Sequence, residues 1–116
     1  KLRHVSLAEL FGTLQVNNSA ANLHQCLIYA GAGLAAVQVL VGGVVRVVDA
    51  SIQPFDYNNN STGLRLAQGC TAYLTQCKIK GSGTGFGLDN EGTVYDGGNN
   101  TANTKTGTGT ITTLTL

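Results

Sequence analysis

Three stretches of the chain place apolar residues in one arrangement: Ala21-x-Leu23-x-x-Cys26-x-Ile28, Val45-x-Val47-x-x-Ala50-x-Ile52 and Ala72-x-Leu74-x-x-Cys77-x-Ile79. Within each, the first two apolar residues are two apart and so are the last two. Each pair therefore lies on one side of an extended strand. The gap of three between the pairs is odd, and on a flat strand it would turn the second pair to the opposite face. A bend between them keeps all four residues inside. The pattern predicts two short strands meeting at a corner.

The copies begin 24 and 27 residues apart, within the range of solenoid repeats. A further apolar pair follows the second copy (Leu64-x-Leu66) and the third (Phe86-x-Leu88), and a comparable one, Leu14-x-Val16, precedes the first. One coil thus reads as strand, turn, strand, corner, strand. That is the arrangement of a single-stranded parallel β-helix, an all-β solenoid of about three to four coils. The usual crossover preference makes it right-handed. A coil cannot bury its apolar face alone, which is why the pattern has to recur.

The ends read differently. Ser6-Leu7-Ala8-Glu9 has the form of a capping box, so "VSLAELF" is expected to form a short N-terminal helix over the first coil. A fourth copy is degraded: Val94 falls in place but Asp96 takes a core slot. The run "GGNNTANTKTGTG", 97–109, is polar and of low complexity and reads as loop or linker, while "TITTLTL" reads as a strand able to pair with another chain. The expected organisation is a solenoid domain with its cap over 1–96 and a polar C-terminal segment over 97–116. The 19 uncharged residues from Leu27 to Val45 meet the bare length of a membrane span. Gln38, four glycines and the alternation Val37, Val39, Val41 favour buried strands instead, with no membrane insertion.

Composition narrows the function classes. Only 11% of the residues are charged, against roughly 25% in an ordinary soluble domain, and 16 glycines accompany a single proline. A net charge of +1 with lysines and arginines scattered singly offers no stripe for a phosphate backbone, so nucleic acid is not an expected partner. With Lys1 first and no leader ahead of an apolar core, the chain reads as a processed or excised piece. The cysteine count is three, an odd number for a disulfide framework. Cys26 and Cys77 share one slot two coils apart, roughly 10 Å, beyond the reach of a bridge of about 7 Å between Cα atoms. They read as reduced core residues, and with no CxxC pair no zinc is expected, nor any cofactor.

Candidate chemistry lies at the outward positions. The residue between the first two apolar sites is Asn22, then Arg46, Tyr73 and Tyr95, which stacking would bring into one ladder. An arginine over an aromatic ring offers a cation–π contact, and aromatics on a flat β face suit sugars. The insertion "PFDYNNNSTG" is a second candidate, since Asp56 and Tyr57, with Asn58 and Asn59, have the acceptor, donor and stacking groups a saccharide needs. For catalysis, Asp89 and Glu91 are two apart on one strand, roughly 6–7 Å, between the separations used by retaining and inverting glycosidases. Asp96 is the other acid considered with them. His4 and His24 have no nucleophile at a suggestive spacing.

With "LHQCLI", "VVDASI" and "LTQCKI" each leading through a turn to the next coil, residues 12 to 95 resemble right-handed parallel β-helix proteins of the pectate-lyase-like kind. Few charges and a Gly/Thr/Asn-rich end make the chain most similar to the stalk or tip of a bacteriophage tailspike or tail fibre. The resemblance implies a homotrimer in the virion tail or outside the cell, attached to bacterial surface polysaccharide, and in many relatives glycosidase or lyase action. The family's enzymes stack many more coils. The expected role is structural and receptor-binding, with Arg46, Asp56, Tyr57, Tyr73 and Tyr95 on the glycan. The alternatives are a fragment of a polysaccharide-degrading enzyme using Asp89, Glu91 and Asp96, and a virion decoration or assembly protein.

Overall fold

The computed structural model describes residues 2–6, 9–11, 13–30, 35–54, 60–83 and 85–114. The chain winds in coils of three strands. The first holds β1 (Leu2–Ser6), β2 (Glu9–Phe11) and β3 (Leu14–Asn17), and the second β4 (Ala20–His24), β5 (Leu27–Ala30) and β6 (Ala35–Leu40). The third holds β7 (Val44–Val48), β8 (Ser51–Pro54) and β9 (Thr62–Leu66), and the fourth β10 (Thr71–Thr75), β11 (Lys78–Ile79) and β12 (Leu88–Asn90). Above them lie β13 (Thr93–Asp96), β14 (Thr101–Ala102) and β15 (Lys105–Thr106), and β16 (Thr110–Thr113) opens one level more.

Corresponding strands of successive coils pair in parallel. Sheet A runs β1-β4-β7-β10-β13-β16, sheet B runs β2-β5-β8-β11-β14, and sheet C runs β3-β6-β9-β12-β15. The molecule is an all-β parallel solenoid. Its three sequence copies form the middle coils, and over these three turns the interior is apolar. Ile28, Ile52 and Ile79 are in register in sheet B and at most 2% exposed, so one isoleucine column runs through the stack. Leu23, Val47 and Leu74 form another in sheet A, and Val37, Leu64 and Leu88 a third in sheet C.

The odd gap in the pattern has a backbone cause. Gln25, Asp49, Gln76 and Asn99, one per coil, have φ of 53°, 54°, 54° and 58°, and each turns the chain from sheet A into sheet B. An L-residue enters this left-handed region at a cost of about 1–2 kcal/mol. Stacking supports it: the N–H of Gln25 donates to Val48 O (3.0 Å), that of Asp49 to Thr75 O (2.9 Å) and that of Gln76 to Gly98 O (2.9 Å). The first three bends are thus held by the coil above them.

Two expectations are corrected. No helix covers the first coil among the described residues: Leu2–Ser6 is β1, in register with β4 so that Val5 pairs Leu23, and Glu9–Phe11 is β2. The capping box offers local hydrogen bonds only, whereas the strand gains a whole ladder against β4. The polar run 97–109 is not a free linker either, since β14 pairs β11 and β15 pairs β12. β16 pairs this chain's own β13.

Asparagine takes over where the apolar columns end. Asn100 follows Cys26, Ala50 and Cys77 at the corner; its Oδ1 accepts from Cys77 N (2.9 Å) and its Nδ2 donates to Leu74 O (2.8 Å). Asn103 similarly spans Gly81, accepting from its N–H (3.0 Å) and donating to its carbonyl (3.1 Å). The uncharged run Leu27–Val45 resolves into β5, β6 and the start of β7, with residues 31–34 outside the described set. Among the described residues no helix is long and apolar enough to cross a membrane.

Candidate functional site

Strand alternation turns Ala21, Leu23 and their counterparts inward and the residue between them outward. The parallel register then sets Asn22 beside Arg46, Arg46 beside Tyr73, Tyr73 beside Tyr95 and Tyr95 beside Thr112 on the outer face of sheet A. The guanidinium carbon of Arg46 lies 4.2 Å from the centroid of the Tyr73 ring. Tyr73 and Tyr95 stack with centroids 4.9 Å apart and planes inclined by 16°. Arg46 and Tyr95 come from the strands on either side of Tyr73, so they take opposite faces of its ring. Edges and hydroxyl of Tyr73 remain for a ligand; its faces do not.

The neighbouring outward positions are Val44, Thr71, Thr93 and Thr110 on one flank and His24, Val48 and Thr75 on the other. No carboxylate stands among them, and Arg46 makes no ion pair among the described residues. Its charge rests on an aromatic ring, which leaves the guanidinium's fork of N–H donors unspent.

Sheet C carries a second outward ladder of Gln15, Gln38, Arg65, Asp89 and Thr106. Two pairs of its neighbours bond each other. Gln15 Nε2 donates to Gln38 Oε1 (3.5 Å), Arg65 Nε donates to Asp89 Oδ2 (3.3 Å), and Arg65 also donates to Thr62 Oγ1 (3.3 Å). Beside this ladder runs an open groove of about 430 Å³, floored by Leu40, Leu66 and Ala67 and walled by Arg65, Asp89, Glu91 and Thr108.

The structure brings Asp89 and Glu91 to this one groove but not into one strand, because β12 ends at Asn90 and Glu91 lies in the bend beyond it. Glu91 is exposed and accepts from the Thr108 hydroxyl (2.6 Å) and amide (3.2 Å); these bonds hold its carboxyl below the ordinary carboxylate value. That direction favours the anion and opposes service as a general acid at neutral pH. Asp96 is elsewhere, in the inward slot beside Leu74, where Oδ1 accepts from Gly98 N (2.9 Å) and Asn100 Nδ2 (2.6 Å). It lines a separate cavity of about 60 Å³ with Val94, Ala102 and Ile111.

Asp56 and Tyr57 of the insertion lie outside the described residues. Cys26, Cys70 and Cys77 are buried and in no disulfide, and burial pushes the Cys77 thiol up, so it stays protonated. Among the described residues no three His, Cys, Asp or Glu side chains are grouped to hold a metal. Sequence reasoning missed Thr112 as the next rung of the sheet A ladder. The coil before β16 is only 17 residues long by the step from Val94 to Ile111, shorter than the repeat that defined the pattern. The chain matches no family model, no curated protein and no solved structure in comparisons with known proteins.

Proposed function

We propose that this solenoid is a structural and receptor-binding module of a phage tailspike or tail fibre, attaching to bacterial surface polysaccharide through the outer face of sheet A. The observation that carries the reading is the outward-facing stack of exposed Arg46 on half-buried Tyr73 and Tyr95, on a ladder that among the described residues has no acid paired to it. Such a face combines ring surface, hydroxyl groups and a free guanidinium fork, the groups that hold hydroxylated rings in water. A stack of hydrogen-bonded coils suits transmission of load along an appendage, and assembly as a homotrimer belongs to the same reading.

The carboxylates support attachment over cleavage. Asp89 is paired with Arg65, Glu91 is tied to Thr108, and Asp96 lines a separate cavity, so the three acids do not share one site. The test is incubation of the purified chain with a panel of bacterial O-antigen and capsular polysaccharides. Retention of a polymer at unchanged mass is expected. A falling polymer mass would replace this reading with an enzyme, and no retention of any polymer would favour a virion decoration or assembly role. Light scattering gives the mass of the assembly directly, with three chains expected.

A further inference from the structure

The stack on sheet A is asymmetric along the ladder. Tyr73 is covered on both faces, by Arg46 and by Tyr95. Among the described residues Tyr95 has a ring partner on one face, Tyr73; on its other side the register places Thr112, a residue too short to cover a ring. Thr112 is exposed, as are Thr110 on the same strand and Leu114 just beyond it, the last at 48%. Rungs are about 4.8 Å apart. A ring resting on the Thr112 rung would therefore sit at stacking distance from Tyr95.

Resting on the glycan-attachment reading above, we infer that the open face of Tyr95, floored by Thr112 and bordered by Leu114, is the sugar-binding rung. It takes a pyranose ring by its C–H face as the next member of the stack. The apolar border at Leu114 and the lack of any charged outward residue on β16 suit a sugar whose buried face carries C–H rather than hydroxyl groups. Arg46 lies two strands from Tyr95, about 9–10 Å away. It therefore reaches a different residue of the same glycan chain and contributes through its free donors. In this arrangement Tyr73 positions Tyr95 and Arg46 and does not itself stack on sugar.

Filling the rung tests this. Thr112→Tyr would place a ring on the open face of Tyr95 and extend the aromatic ladder, on an exposed strand position where tyrosine is favoured. Binding to the polysaccharide retained by the native chain should fall roughly tenfold or more, the worth of one lost aromatic stack. Tyr95→Leu, which keeps apolar bulk but removes the ring face, should fall by a similar factor. Circular dichroism melting of each variant confirms that the fold is intact. Undiminished binding by both Thr112→Tyr and Tyr95→Leu would overturn the assignment while leaving glycan attachment standing. Failure of the native chain to retain any polysaccharide would end both.

Discussion

Arg46 and Arg65 belong to the same coil, on β7 and β9, and each stands in the middle of an outward ladder, yet they meet opposite neighbours. On sheet C the rung next to Arg65 is Asp89, and the guanidinium is spent on that carboxylate and on Thr62. On sheet A the rung next to Arg46 is Tyr73, and the charge is held over a ring, with no ion pair among the described residues. A ladder whose members satisfy one another is a closed surface. A ladder that holds a cation over a ring and an open aromatic face beyond it is an incomplete one, and a ligand can complete it. What separates the two is the residue one coil away, not the arginine.

The largest effect on both ladders comes from removing the platform on which they stand. Ile52 is fully buried in the isoleucine column, and Ile52→Ala should cost about 2–5 kcal/mol, read as a lowered urea midpoint, and disturb both outer faces together. A smaller effect separates the faces. Arg46→Gln should weaken polysaccharide retention about tenfold or more, since a hydrogen bond from a charged donor is worth about 1.5–3 kcal/mol, whereas Arg65→Gln should leave it unchanged. Equal losses from the two variants would mean that both faces bind, or that neither does.

Smaller still is the effect on stability. Arg65 is 41% exposed, so loss of its ion pair should cost less than about 1 kcal/mol, and high salt should shrink the difference between native chain and variant. Arg46→Gln should cost a similar small amount, about 0.5–1 kcal/mol for an exposed cation–π contact, with Tyr73 unmoved. Thermal melts at low and high salt distinguish the two.

The smallest change concerns pH. The folded-state carboxyl of Glu91 titrates below its ordinary value of 4.5, so its bond to Thr108 is fully present above that value and is lost as pH falls through the depressed one. The Thr108 amide resonance should shift with a midpoint below 4.5, and Glu91→Gln should abolish the shift. The sheet A ladder should not respond over the same range. A midpoint above 4.5 would show that Glu91 is not held by Thr108 and would reopen the groove beside it to acid–base chemistry.

Much of this was written in the order of residues. The recurrence of Leu23, Val47 and Leu74, and of Ile28, Ile52 and Ile79, determined an all-β stack, because a period of two fixes which side chains enter a core and a repeat of 24 or 27 residues fixes how often the chain returns. It also determined that Asn22, Arg46, Tyr73 and Tyr95 share one outward line. The two ends escaped that reasoning because their residues carry weak apolar signals. β1 is a strand through its register with β4, and 97–109 is ordered because asparagines reach back to the backbone below. Nothing local marks Gln25 or Gln76 for a left-handed bend; the neighbouring coil's carbonyl supplies the reason. The same holds on the surface. Sequence placed tyrosines in a row, but only the packing of one coil on the next decided that Tyr73 would spend both faces on its neighbours and Tyr95 keep one free, because a stacking partner is set by register and not by spacing along the chain.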